Sequence, residues 1–238
     1  TPCGTLFPYT TLFRSVDTVD TGVDTSGPTD LFDIMPGGYL YAGDWHGYGW
    51  TSPGEVAGSS INPADFSLYT GDESQLCVDG TLAASYDAVG ILGMNVNQAQ
   101  AEGSPALTWT PTASHTGVYV DITKNINTTV RLQITGQSGN EYCVALNSGA
   151  NTVAWSQLAT ECWGAGGTTY TGEPITQAML LVPGDTAGTT NLDFCLNEMY
   201  PLGSTIDTGV DTGVDTGVDT GVDTGVDTGV DTGVDTGV

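Results

Sequence analysis

Arg131 and Gln133 stand two residues apart in the run Val130-Arg131-Leu132-Gln133-Ile134, so both point away from the side taken by the aliphatic residues. Asn95 and Asn97 repeat that spacing: with Leu92, Met94 and Val96 turned inward, Gly93, Asn95 and Asn97 lie outside. Guanidinium and carboxamide groups carry donors and acceptors in fixed directions, which is what vicinal hydroxyls require. The plain alternative is a solvated sheet face on which Arg131 meets a local carboxylate. Aromatic rings supply the other half of such recognition, because the C–H faces of pyranoses pack on flat surfaces. Trp163 and Tyr170 bound the loop Trp163-Gly164-Ala165-Gly166-Gly167-Thr168-Thr169-Tyr170, from which both are expected to protrude. Trp45, Tyr48 and Trp50 crowd one segment, and large rings of this kind default to core packing.

Other chemistries find less support. Asp87, Glu102, Glu141 and Glu173 could be nominated as the paired carboxylates of a glycosidase, but no local spacing joins two of them. His46 and His115 are the two histidines, no G-x-S-x-G elbow is present, and two imidazoles do not make a catalytic zinc site without carboxylate help. The expected reading is therefore non-catalytic. Hard oxygen ligands are plentiful, and Asp193 with Asp33 or a loop carbonyl is the candidate set for a structural calcium.

Setting aside Cys3, four cysteines remain, and their spacings match no zinc pattern. An even count in an acidic, Lys-poor chain points to an oxidising compartment, hence a secreted or cell-surface location. Of the three pairings, Cys143 with Cys162 and Cys77 with Cys195 is preferred. The first closes a short loop, and the second ties an early strand to the last.

The elements that must carry these residues are short. Val118 to Ile122, Val130 to Ile134 and Leu192 to Leu196 alternate with period two. Gly38 to Ala42, Trp45 to Thr51, Leu76 to Leu82, Val89 to Asn97, Glu141 to Leu146 and Ala178 to Pro183 complete the predicted strands, and only Trp155 to Cys162 could make a helical turn or two. Many short antiparallel strands with Gly-rich turns predict an all-β sandwich or jelly roll over residues 31–203.

The charge divides unevenly along the chain. The 238 residues hold 28 acids against 3 Lys and Arg, a net charge of −25. Residues 207–238 are eight copies of Asp-Thr-Gly-Val, and a degenerate version occupies the acidic stretch 16–30. Such repeats bury too little surface to offset ordering entropy, so 16–30 and 204–238 read as disordered acidic linkers to further domains. Their aspartates could also hold cations weakly. The central part keeps 16 acids against Lys124 and Arg131, a net of −14. That excludes nucleic acid as a default partner, since phosphate binding needs a basic surface. No apolar run is long enough to span a bilayer. Phe7-Pro8-Tyr9-Thr10-Thr11-Leu12-Phe13-Arg14-Ser15 is identical to a translated sequencing adapter, and residues 1–15 are left out of the fold reading. The chain starts at Thr1 rather than Met, as expected of a fragment.

The succession Gly47-Tyr48-Gly49-Trp50-Thr51, Leu76-Cys77-Val78-Asp79-Gly80-Thr81, Gly93-Met94-Asn95-Val96-Asn97-Gln98, Val130-Arg131-Leu132-Gln133-Ile134, Trp155-Ser156-Gln157-Leu158 with Cys162-Trp163, and Asp193-Phe194-Cys195-Leu196-Asn197 resembles the galactose-binding-like jelly rolls of secreted bacterial proteins. It is similar to the carbohydrate-binding modules among them. The resemblance spans residues 38–199. It implies two packed antiparallel sheets, one concave outside, often a structural calcium near the chain ends, and a polysaccharide or glycan as partner. Members that merely support a neighbour keep a structural or adhesive spacer open as the alternative, and a glycan-active hydrolase is the third reading.

Overall fold

A computed structural model of the chain describes residues 31–204 apart from Glu102 and Ala165. Assignments to residues 1–30 and 205–238 therefore lie outside the described residues. Among the described residues twelve strands form: β1 (Phe32–Met35), β2 (Tyr39–Ala42), β3 (Trp45–Ser52), β4 (Ser60–Asn62), β5 (Leu76–Leu82), β6 (Val89–Asn95), β7 (Gly117–Lys124), β8 (Val130–Gly136), β9 (Glu141–Leu146), β10 (Gly149–Ala154), β11 (Ile175–Pro183) and β12 (Thr190–Leu202). They pair antiparallel into a seven-stranded sheet, β1-β2-β3-β6-β11-β8-β9, and a five-stranded sheet, β10-β7-β12-β5-β4. The fold is an all-β jelly-roll sandwich.

Inward residues of both sheets make one core. Leu40, Trp45, Leu92, Met94, Leu132, Ile134, Ala178 and Leu180 come from the larger sheet, and Leu76, Val78, Val120, Ile122, Leu192, Phe194 and Leu196 from the smaller. Period-two alternation puts the intervening residues outside. The nine predicted strands are all present. β1, β4 and β10 were not foreseen, because Phe32-Asp33-Ile34-Met35 runs straight into Pro-Gly-Gly, Ser60-Ile61-Asn62 has three residues, and Gly149-Ala150-Asn151-Thr152-Val153-Ala154 has one large apolar side chain. The helical expectation after Trp155 shrinks to a 3₁₀ turn, Trp155–Gln157.

β12 runs further than its alternating core predicts. A register shift between Leu196 and Glu198 on the β7 side moves the buried set from Leu192, Phe194 and Leu196 to Met199 and Pro201. Both disulfides join the preferred partners, one on the outside of each sheet. Cys77 and Cys195 face each other across β5 and β12, and Cys143 of β9 reaches Cys162 in the loop before β11.

Candidate functional site

Register across the larger sheet sets out its outer face in rows. Ser52, Ile91, Leu181, Arg131 and Ala145 form one, and Trp50, Gly93, Met179, Gln133 and Cys143 the next. Asn95, Gln177, Thr135 and Glu141 form a third. Trp50 lies over Gly93 so closely that a Cβ there would come within 2.5 Å of the indole, so this position accepts only glycine if the ring is to stay flat on the sheet.

A groove of about 500 Å³ crosses β9, β8, β11 and the start of β6. Val89, Leu181, Pro183 and Cys143 make an apolar floor, into which Arg131 and Gln133 project. Its two aromatic flanks are exposed: Trp163 is 67% and Tyr86 74% accessible. Tyr86 sits in the turn between β5 and β6, held by Ala88 N–H to Ser85 O and Asp87 N–H to Ser85 Oγ. It was not singled out from sequence, although the loop rule applied to Trp163 would have found it.

The polar groups of the groove are uncommitted. Among the described residues Arg131 has no carboxylate within ion-pair distance, the one such pair being His115 with Asp44. Its guanidinium carbon lies 5.8 Å from the centre of the Trp163 ring, a cation–π contact of about 0.5–1 kcal/mol at an exposed site. Gln133 is 8% exposed, and neither it nor Arg131 makes a side-chain hydrogen bond among the described residues. The Gln133 amide is not among the fully buried unpartnered groups of the described residues, which are Nε1 of Trp45 and of Trp50, so it keeps its contact with the groove and is free to exchange water for a hydroxylated ligand.

Trp163 owes its place to the loop. Ala159 extends the sheet beyond β9 through reciprocal bonds with Cys143 at 2.9 and 3.3 Å, and Tyr170 N–H returns to Leu158 O at 2.9 Å. Between them Thr160 N–H bonds Thr168 O, and Gly167 at φ +90° approaches the Glu161 amide too closely for a side chain. The Cys143–Cys162 link, spanning 19 residues, contributes about 3 kcal/mol in the chain-entropy model.

Other expected site residues lie elsewhere. Tyr170 is 3% exposed, a correction to its expected protrusion. It ends the loop rather than riding on it: the ring packs on Tyr142 and Trp155, its hydroxyl donates to Glu173 O at 2.5 Å, and burial raises its pKa. Asn95 shares the outer face but lies two strands from Arg131 and four residues further along, roughly 16 Å by strand geometry. Its amide donates to Gln98 Oε1 and accepts from Gln177, and Asn97 donates to Thr108 O, so both serve the loop after β6.

Asp193 pairs with Asp79 and accepts from Asn125 at 2.6 Å, whereas Asp33 shares a cavity with Asn197 and Glu198, at least four residues on, roughly 13 Å along β12. The structure therefore does not bring Asp193 and Asp33 together. Among the described residues no group of three His, Cys, Asp or Glu is placed to hold a metal.

His115 and Asp44 have the outline of a catalytic relay, with Nε2 to Oδ2 at 2.5 Å and Thr112 Oγ1 2.9 Å from Nδ1. The Thr112 amide also donates to Nδ1 at 3.0 Å, which occupies the lone pair a general base would use. With Trp155 Nε1 donating to its carbonyl, His115 fastens its turn to Asp44 of the β2–β3 turn and to the Trp155 turn. Glu173 accepts from Tyr142 Oη at 2.6 Å and from Ser138 N–H at 2.9 Å; these bonds, Tyr142 foremost, hold its pKa below the usual value.

No family model matches the chain, and no curated protein matches it in sequence. Among solved structures it is similar to the family 11 carbohydrate-binding module of the cellulosomal cellulase Lic26A-Cel5E of Clostridium thermocellum, at 12% identity and TM-score 0.43, covering 68% of this chain and 92% of that one. A second structure of a family 11 module from that organism, in complex with a β-1,3-1,4-mixed-linked tetrasaccharide, aligns at 9% identity and TM-score 0.39 over 68% of this chain and 89% of the other. An agarase aligns at 12% identity and TM-score 0.38 over 66% of this chain and 22% of its own length.

Proposed function

We propose that the groove on the outer face of the seven-stranded sheet binds carbohydrate without cleaving it. The observation that carries this reading is the pairing of uncommitted Arg131 and Gln133 with two exposed aromatic flanks, Trp163 and Tyr86, over an apolar floor. Hydroxyl groups of a glycan meet the guanidinium and amide, and its C–H faces pack on the rings. Glu141 is the one carboxylate lining the groove among the described residues, so the acid and base pair of a glycosidase lacks its second member there.

Asn95, Asn97 and Tyr170 drop out of the contact set on this reading. The module would sit outside the cytoplasm in a longer polypeptide, a placement supported by its two disulfides. Affinity electrophoresis of the chain through a panel of neutral and acidic polysaccharides tests the function. Retardation on at least one, reduced in Arg131→Ala and Trp163→Ala, is expected; free migration through every gel would refute it.

A further inference from the structure

We infer that the Cys143–Cys162 disulfide is a positioning element of the groove, holding Trp163 over Arg131, so that glycan binding, given the carbohydrate-binding reading on which this rests, requires the bond to be oxidised. The two disulfides differ in what else joins their partners. Cys77 and Cys195 are facing residues of β5 and β12, which keep seven register pairs between Leu82 and Leu76. Cys143 belongs to β9, the last strand of its sheet, and Cys162 to a loop.

Beyond Ala159 the loop bonds to itself. Thr160 N–H meets Thr168 O, Thr168 N–H meets Thr160 Oγ1, and Gly164 N–H meets Glu161 O. Trp163 follows Cys162 directly and is 67% exposed, so the covalent link one residue away keeps its ring 5.8 Å from the guanidinium. A dithiol such as dithiothreitol would cleave the bond, becoming a cyclic disulfide while Cys143 and Cys162 each gain a hydrogen. The glycines at 164, 166 and 167 then let the tip move off the groove.

The test compares the full chain with C143A/C162A and C77A/C195A, using affinity electrophoresis on the polysaccharide that retards the parent protein. A second readout is the near-UV circular dichroism band of Trp163, obtained as the difference from Trp163→Phe in each background. In C143A/C162A we expect affinity to fall about tenfold and the Trp163 band to be lost, with far-UV dichroism unchanged. In C77A/C195A melting occurs earlier while both readouts stay. Parent-like affinity and an intact band in C143A/C162A would overturn the inference. If the double variant fails to fold, Cys162→Ser, which leaves the buried Cys143 in place, answers the same question. Should the parent bind no polysaccharide, the functional reading fails, and the Trp163 band alone still decides whether the disulfide places the ring.

Discussion

Arg131 stands in a folded region that carries 16 acids, yet it meets none of them among the described residues and turns to the Trp163 ring instead. Its planar fork can engage two hydroxyls at once, which a lysine ammonium cannot do in fixed directions. Arg131→Lys is therefore expected to weaken polysaccharide retention about tenfold despite the conserved charge; undiminished retention would show that charge alone is read. Tyr170→Phe removes a buried hydroxyl from Glu173 O and should lower stability by about 1 kcal/mol in denaturant titration without changing retention. Glu173 has a folded pKa below its unfolded one, so its contribution is complete above the unfolded value near 4.3 and is lost as pH falls through the folded value. Melting temperature should thus drop more steeply in acid for the parent chain than for Glu173→Gln, and parallel curves would contradict this.

At the scale of elements, the groove depends on a sheet whose outer rows are unequal. The row through Gln133 is covered by Trp50, Met179 and the disulfide, while the row through Arg131 lies open beside it. Gly93→Ala would drive a methyl group into the Trp50 indole and is expected to cost about 1–3 kcal/mol, measured by chemical denaturation. Alternation alone assigned Arg131 and Gln133 to the outside of β8, because an antiparallel strand with one buried face admits a single phase. It placed Asn95 outside as well but could not reveal that the loop after β6 consumes its amide. That bond set depends on how the chain returns to Gln98 and Gln177, which no local pattern encodes.

Across the whole molecule, acidic residues outnumber basic ones more than ninefold, and the described residues hold a single ion pair, His115 with Asp44. Self-repulsion therefore opposes compaction and is screened by salt, whose Debye length falls from about 30 Å at 0.01 M to about 8 Å at 0.15 M. Melting temperature should rise over that range in sodium chloride, and a flat or falling response would mean that the carboxylates are spaced widely enough not to interact.

By itself the sequence determined the fold class, nine of the strands, the face to which Arg131 and Gln133 point and the preferred cysteine pairs. These follow from local period-two burial and from the few ways four cysteines can be joined. Tertiary structure decided which of the outward residues share a site. Tyr86, from a turn far along the chain from Trp163, enters the groove only because β6 lies two strands from β8, and Tyr170 leaves it because the loop closes back on Leu158. Both outcomes depend on strand order and loop return, which arise from long-range pairing rather than from neighbouring residues.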